Sequence, residues 1–312
     1  MFSTRLIHGW ELRIYNSILY SIHLHYSMTT KVRLVKAFTI DKDQGNPAGV
    51  VVDGNDLSDT KMQEIASELG FSVTTFVLKS EKADFRVRFF GPVREDSLCG
   101  HGTIATFHAL IDEGVIHFRD SDKVMVTQET KTGVLSVICH KSGFIEMVQN
   151  DAEFFHYKVI RNEIPGLLGI SKNDILDCPM QIVSAGKPKL LIAVKSMKIL
   201  YSLKPDINGI KDYCKKSGAR GFYPFTFDTK DDNSDVHARQ FNPLAGIDED
   251  PVTGTAAGPL VAYLKKHRLI TKDKIVVEQG YIMNKAGKIY VDVAEKISVG
   301  GYAVTYGERL FD

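Results

Sequence analysis

The chain repeats itself, and that constrains its fold more than any other feature. Displaced by 151 positions, Arg88 falls on Arg239, Phe90 on Phe241, Pro92 on Pro243, Ala105 on Ala256, Asp122-Lys123 on Asp273-Lys274, Val126 on Val277 and Gln128 on Gln279. A second echo, displaced by 141, sets Gly45-Asn46-Pro47 on Gly186-Lys187-Pro188, each just ahead of an apolar run. Ordered agreement through strand, turn, helix and strand implies two copies of one supersecondary design. The length of 312 residues suits two domains of ~100–200 residues each. The expected division is residues 29–152 and 153–312, with the last strand free to pack on the first domain.

Periodicity fills in the elements. Residues 32–40 alternate apolar and polar, as a half-buried strand does. Residues 56–69 place Leu57, Met62, Ile65, Ala66 and Leu69 mostly on one face, with Ser58 or Asp59 as N-cap, so a helix is expected. Strands are expected over 74–78 and 83–90, a helix over 102–114, and a strand pair over 124–126 and 133–137. The second half repeats the scheme, with strands near Ile182, Leu190, Ile275 and Ile289, a strand over 222–227 and a helix over 255–266. Many strands and few helices, mostly linked by short turns, predict an α+β protein with curved sheets. No G-x-G-x-x-G follows the first strand and no G-x-x-x-x-G-K-[ST] loop occurs, which argues against a dinucleotide or nucleotide enzyme.

Charge excludes little but is useful. With 39 basic and 38 acidic residues, composition gives no case for nucleic acid or an anionic membrane. Cys99, Cys139, Cys178 and Cys214 form no C-x-x-C pair and no zinc spacing, so no metal site and a reducing cytoplasm are the expectations. No apolar run reaches the ~18–20 residues that span a bilayer. Residues 1–28 hold the only Trp, Trp10, and interrupt their apolar stretch with Asn16, Ser17, Ser21, His23 and His25. That pattern fits neither a signal peptide nor a transit peptide. It reads as an extension outside the fold or, alternatively, as an added strand or amphipathic arm.

The chemistry is expected where each half enters its long helix. Residues 94–103 read R-E-D-S-L-C-G-H-G-T and residues 245–255 read A-G-I-D-E-D-P-V-T-G-T. The 151 displacement sets Cys99 opposite Asp250, and one further residue aligns Thr103 with Thr255. First-turn N–H groups lack intrahelical partners and the macrodipole adds roughly half a positive charge. Together they bind carboxylate or phosphate, and Gly100, Gly102 and Gly254 let a ligand approach the backbone. Two such ends meeting would hold an acid between Cys99 and Asp250, an arrangement that suits proton abstraction and return. Plainer readings exist for each residue: a tight turn, an inert buried cysteine, a capping aspartate, a structural histidine. Only the symmetric placement favours chemistry.

At these residues the chain resembles the phenazine-biosynthesis isomerase (PhzF-like) family, within the diaminopimelate epimerase-like fold. The matching motifs are Phe38-Thr39, G-N-P-A at 45–48, C-G-H-G-T at 99–103 and D-P-V-T-G-T-A-A-G-P at 250–259. The resemblance implies two pseudo-symmetric domains, each a strongly curved, mostly antiparallel, barrel-like sheet around a central helix, with an active site in the cleft between them, no cofactor or metal, a biosynthetic isomerase and a homodimer. It places Asp250 and His101 at active-site positions, with Ser72 beside them, and Gly254 and Thr255 at the carboxylate-binding helix start. One residue departs. Where the family reads S-E-T and uses its Glu as the principal proton shuttle, this chain reads Ser72-Val73-Thr74. Three readings follow: proton transfer by Cys99 and Asp250 with His101 assisting, a reaction needing only the acid at Asp250, or a non-catalytic binder of small carboxylates.

Overall fold

The computed structural model describes residues 29–312; the expected extension at 1–28 lies outside the described residues. Among the described residues, nineteen strands and six α-helices form two like halves. The first half contains β1 (Thr30–Ala37), β2 (Asn46–Val51), α1 (Asp59–Leu69), β3 (Thr74–Leu78), β4 (Phe85–Phe90), β5 (Glu95–Asp96), α2 (Gly100–Asp112), β6 (Lys123–Thr130), β7 (Gly133–His140) and β8 (Ile145–Val148). After β9 (Glu153–Phe154), the second half contains α3 (Ile164–Leu168), β10 (Gln181–Ser184), β11 (Lys189–Ala193), α4 (Met197–Ser202), α5 (Ile207–Ser217), β12 (Phe222–Thr226), β13 (Val236–Ala238), β14 (Gln240–Asn242), β15 (Ile247–Asp250), α6 (Gly254–Lys266), β16 (Lys274–Gln279), β17 (Gly287–Asp292) and β18 (Ser298–Gly301). Strand β19 (Ala303–Phe311) ends the chain.

The duplication is explicit in the ladders. In the first half β1–β2 is antiparallel, β2–β3 parallel, β3–β4 antiparallel, β4–β6 parallel, and β6–β7–β8 antiparallel. In the second half β10–β11, β11–β12, β12–β13, β13–β16 and β16–β17–β18 follow the same order of directions. The halves join edge to edge where β8 pairs antiparallel with β18. They then exchange strands: β9 pairs with β10, and β19 pairs with β1. The last strand thus packs on the first half.

Helices α2 and α6, 13 residues each, are buried on nearly every face over their first turns. A helix apolar all round belongs inside a core, and these two are the axes of the curved sheets. Outer faces are covered separately. Met62, Ile65 and Ala66 of α1 seal Val51, Phe76 and Phe90, and α3–α5 seal Leu190, Ile192 and Phe222. Side chains repeat as well. Arg88 grips Glu95 with two 2.9 Å bonds and lies over Phe90; Arg239 grips Glu249 at 2.8 Å twice and lies over Phe241.

The repeat is not uniform. Strands β4 and β6 recur as β13 and β16 at the 151 displacement, but α2 and α6 begin at Gly100 and Gly254, three residues further apart. The N-caps are therefore Cys99 and Thr253. This corrects the sequence alignment: Thr253, not Asp250, is the counterpart of Cys99, and Thr103 does not correspond to Thr255. The second half carries extra residues in its pre-helix hairpin, and a single displacement read along the sequence smooths over them.

Candidate active site

The two central helices meet tip to tip. A Cβ built on Gly100 would lie 3.3 Å from the Thr255 nitrogen and 3.6 Å from the Gly254 carbonyl carbon. Neither N-cap side chain bonds back onto its own first turn. The first N–H groups of both helices therefore face the junction between halves without a side-chain cap, as an anion site requires.

On the first-half side, the Cys99 sulfur goes to the His101 ring, with Sγ 3.2 Å from Nδ1. The other ring nitrogen, Nε2, lies 3.1 Å from the Ser72 hydroxyl. His101 is buried while Cys99 and Ser72 are partly open. Burial pushes the imidazole pKa down, but a Cys99 thiolate, its hydrogen bond and the Asp250 charge outweigh that, against opposition from Lys187. The net direction is upward.

On the second-half side, Asp250 is buried and fully held. Asn46 Nδ2 donates to its Oδ1 at 2.8 Å and to the Val252 carbonyl at 2.9 Å. Thr253 Oγ1 donates to its Oδ2 at 2.5 Å. Gln279 braces the loop from behind, donating to the Asp250 carbonyl at 2.6 Å and accepting from Thr253 N and Tyr223 OH. Gln128, its partner in the repeat, donates to Thr103 Oγ1 at 3.3 Å. Both glutamines anchor the start of a central helix.

The structure thus brings together Cys99, Gly100, His101, Ser72, Asp250, Gly254 and the half-buried Thr255. It turns three expected residues away. Thr103 is fully buried and bonds back to the Cys99 carbonyl at 3.0 Å. The Cα of Gly102 faces Phe89, Thr75 and Val73, where a Cβ would be 3.1–3.3 Å from all three. Both side-chain positions pack against the helix's own sheet and first turn. Val73 itself is 1% exposed and belongs to the main core, so the position filled by the family's Glu is here an apolar contact onto α2.

Four residues were not picked out as site residues. Asn46 and Lys187 are the middle residues of the echoed triplets, which was the available signal. Gln279 was legible as half of a repeated pair. Lys189 is the least expected: it is 1% exposed at the head of β11, and its sole acceptor is Asn242 Oδ1 at 3.5 Å. Burial, with Lys187 and Arg220 nearby, pushes this amine down to about 7 against the pull of Asp250 and Cys214. Among the described residues no three His, Cys, Asp or Glu side chains cluster as a metal would require, and no helix is long and apolar enough to cross a membrane.

This fold, with two helix tips at the seam of duplicated halves, is the diaminopimelate epimerase-like α+β fold. The phenazine biosynthesis-like protein family (PhzC-PhzF) matches residues 35–309, and the chain belongs to that family. The crystal structure of the Bacillus anthracis phenazine biosynthesis protein of the PhzF family superimposes with a TM-score of 0.82 at 33% identity, over 91% of this chain and 99% of that one. The uncharacterized isomerase YfhB of Bacillus subtilis is 36% identical over 285 residues, 88% of this chain and 96% of that protein. The trans-2,3-dihydro-3-hydroxyanthranilate isomerase of Pseudomonas aeruginosa is 27% identical over 293 residues, 88% and 96% of the two chains.

Proposed function

We propose that the chain is an isomerase or epimerase that moves a proton on a small carboxylate-bearing substrate without a cofactor. The observation that carries this is the contact of the helix tips at Gly100 and Thr255, with one proton-carrying group on each side. The N–H groups of Gly100, Gly254 and Thr255 hold the carboxylate. Asp250 and Cys99 face the carbon beside it from opposite sides. One takes a proton and the other returns one, with His101 stabilising the Cys99 thiolate and Ser72 orienting the ring. Fixing the acid in place turns a bimolecular proton transfer into a local one.

The buried Val73 supports a second reading, in which the scaffold binds the acid without turnover. A valine transfers no proton, so the reaction named for the Pseudomonas relative is not expected here. Both readings carry a division at residues 29–152 and 153–312, a homodimer and a cytoplasmic setting.

Incubation of amino and hydroxy acids in deuterated water tests the first reading. Deuterium should appear on the carbon beside the carboxylate, and Asp250→Asn should abolish it. Cys99→Ala separates a two-group mechanism, which it stops, from one using Asp250 alone, which survives. Ligand-induced thermal stabilisation with no deuterium uptake across the panel would select the binder.

A further inference from the structure

The echoed triplets have a structural consequence. Asn46 of Gly45-Asn46-Pro47 crosses from the first half to the strand just before α6, where its amide holds Asp250 at 2.8 Å. Lys187 of Gly186-Lys187-Pro188 makes the reciprocal crossing. Its ammonium reaches Asp96 at 3.4 Å, on β5 just before α2. Strands β5 and β15 are themselves equivalent, each pairing with the strand that precedes it. Each half therefore inserts one polar side chain against the other half's helix-start loop.

The two crossings differ in how they are held. Asn46 is 1% exposed and both its amide bonds are short. Lys187 is 26% exposed and has one acceptor at the long end of ion-pair distance, which is itself 35% exposed. Its charge is nevertheless felt at both His101 and the buried Lys189. Its partner Asp96 stands three residues before Cys99, so a loosely held, partly exposed cation sits beside the loop that carries the reacting cluster and is free to change partners.

We propose that Lys187 is a substrate-binding residue: its ammonium leaves Asp96 for the carboxylate of the acid held between the two helix tips. This rests on the anion-site reading above and adds a side chain to it. It makes the site asymmetric. The second half supplies a mobile cation over the Cys99 loop, while the first half supplies a fixed neutral donor to Asp250. The carboxylate is then held by a side-chain charge as well as by the helix-tip N–H groups, with the adjacent carbon still between Cys99 and Asp250.

Isothermal titration of the full chain with acetate, L-proline and anthranilate tests this, using Lys187→Met and Asp96→Asn. A charge-assisted hydrogen bond lost from a partly dry site weakens binding about tenfold or more. Lys187→Met should show that loss, and its affinity should respond less to added salt. Asp96→Asn breaks the same ion pair but releases the ammonium, so affinity should hold or rise. If the pair is only structural, the two variants behave alike, or Lys187→Met binds as the wild type does; either result overturns the inference while leaving the helix-tip site intact. A wild-type chain that binds none of the three acids overturns the anion-site reading and this inference with it.

Discussion

Replacing Lys189 by Met should stabilise the protein at neutral pH, and the gain should fade as pH rises. The amine is 1% exposed with one acceptor at 3.5 Å, and burial lowers it from 10.5 to about 7. The folded chain therefore prefers the neutral amine, while the unfolded chain keeps the proton to about pH 10.4. Between those values the unfolded state binds more protons, so wild-type stability rises with pH. At or below pH 7 the cost of Lys189 is complete: roughly 1.4 kcal/mol for each tenfold in proton affinity makes about 5 kcal/mol. Methionine fills much the same volume and has no such cost, though Asn242 loses its donor at about 1 kcal/mol. Lys189→Met should thus gain about 3–4 kcal/mol at pH 7 and approach the wild type near pH 9.5. Urea unfolding at half-unit steps from pH 6 to 9.5 reads this directly. Wild-type and variant curves that run parallel across that range would refute it, since Lys189 would then titrate alike in both states.

Three further outcomes follow from the geometry. Gly100→Ala places a methyl 3.3 Å from the Thr255 nitrogen; it should abolish carboxylate binding by calorimetry while costing about 1–3 kcal/mol of stability. Val73→Glu puts a carboxyl into the core contact with Gly102 and should destabilise by about 2–4 kcal/mol in chemical denaturation, unless it pairs with His101. Cys99→Ala removes the charge that holds His101 above its ordinary value, so its imidazole should titrate lower by NMR. In the wild type, stability from protonated His101 is complete below about pH 6.5 and is lost as pH rises through the raised value; the variant should lose it sooner.

Much of the architecture was legible because the repeat lies in apolar and turn residues that packing demands twice. Gln128 and Gln279 are the clearest case, since both brace a helix start from behind. The helix over 255–266 and the strand over 74–78 stand within one residue of expectation. Helix α5 went unread although Asp206 caps it and Gly218 ends it in the left-handed region; its apolar positions are sparse and Lys-rich between. Short β13, β14 and β15 were unreadable because three or four residues carry no period. At the site, Cys99, His101 and Asp250 could be named, but the three-residue slip at the helix starts could not. Nor could the inward turn of Thr103 and Gly102, which depends on where α2 sits in its barrel. Lys189 lay hidden for another reason: a lysine heading a strand ordinarily reaches solvent, and only the closed sheet makes that impossible.

The account turns on the acid binding where the helices touch. A crystal structure of the protein soaked with anthranilate tests it most directly. The account predicts carboxylate oxygens within about 2.7–3.2 Å of backbone nitrogens from both tips, among Gly100, His101, Gly254 and Thr255, with the ring carbon beside the carboxylate between Cys99 and Asp250. Anthranilate seated elsewhere while the two tips stay closed on each other would contradict it.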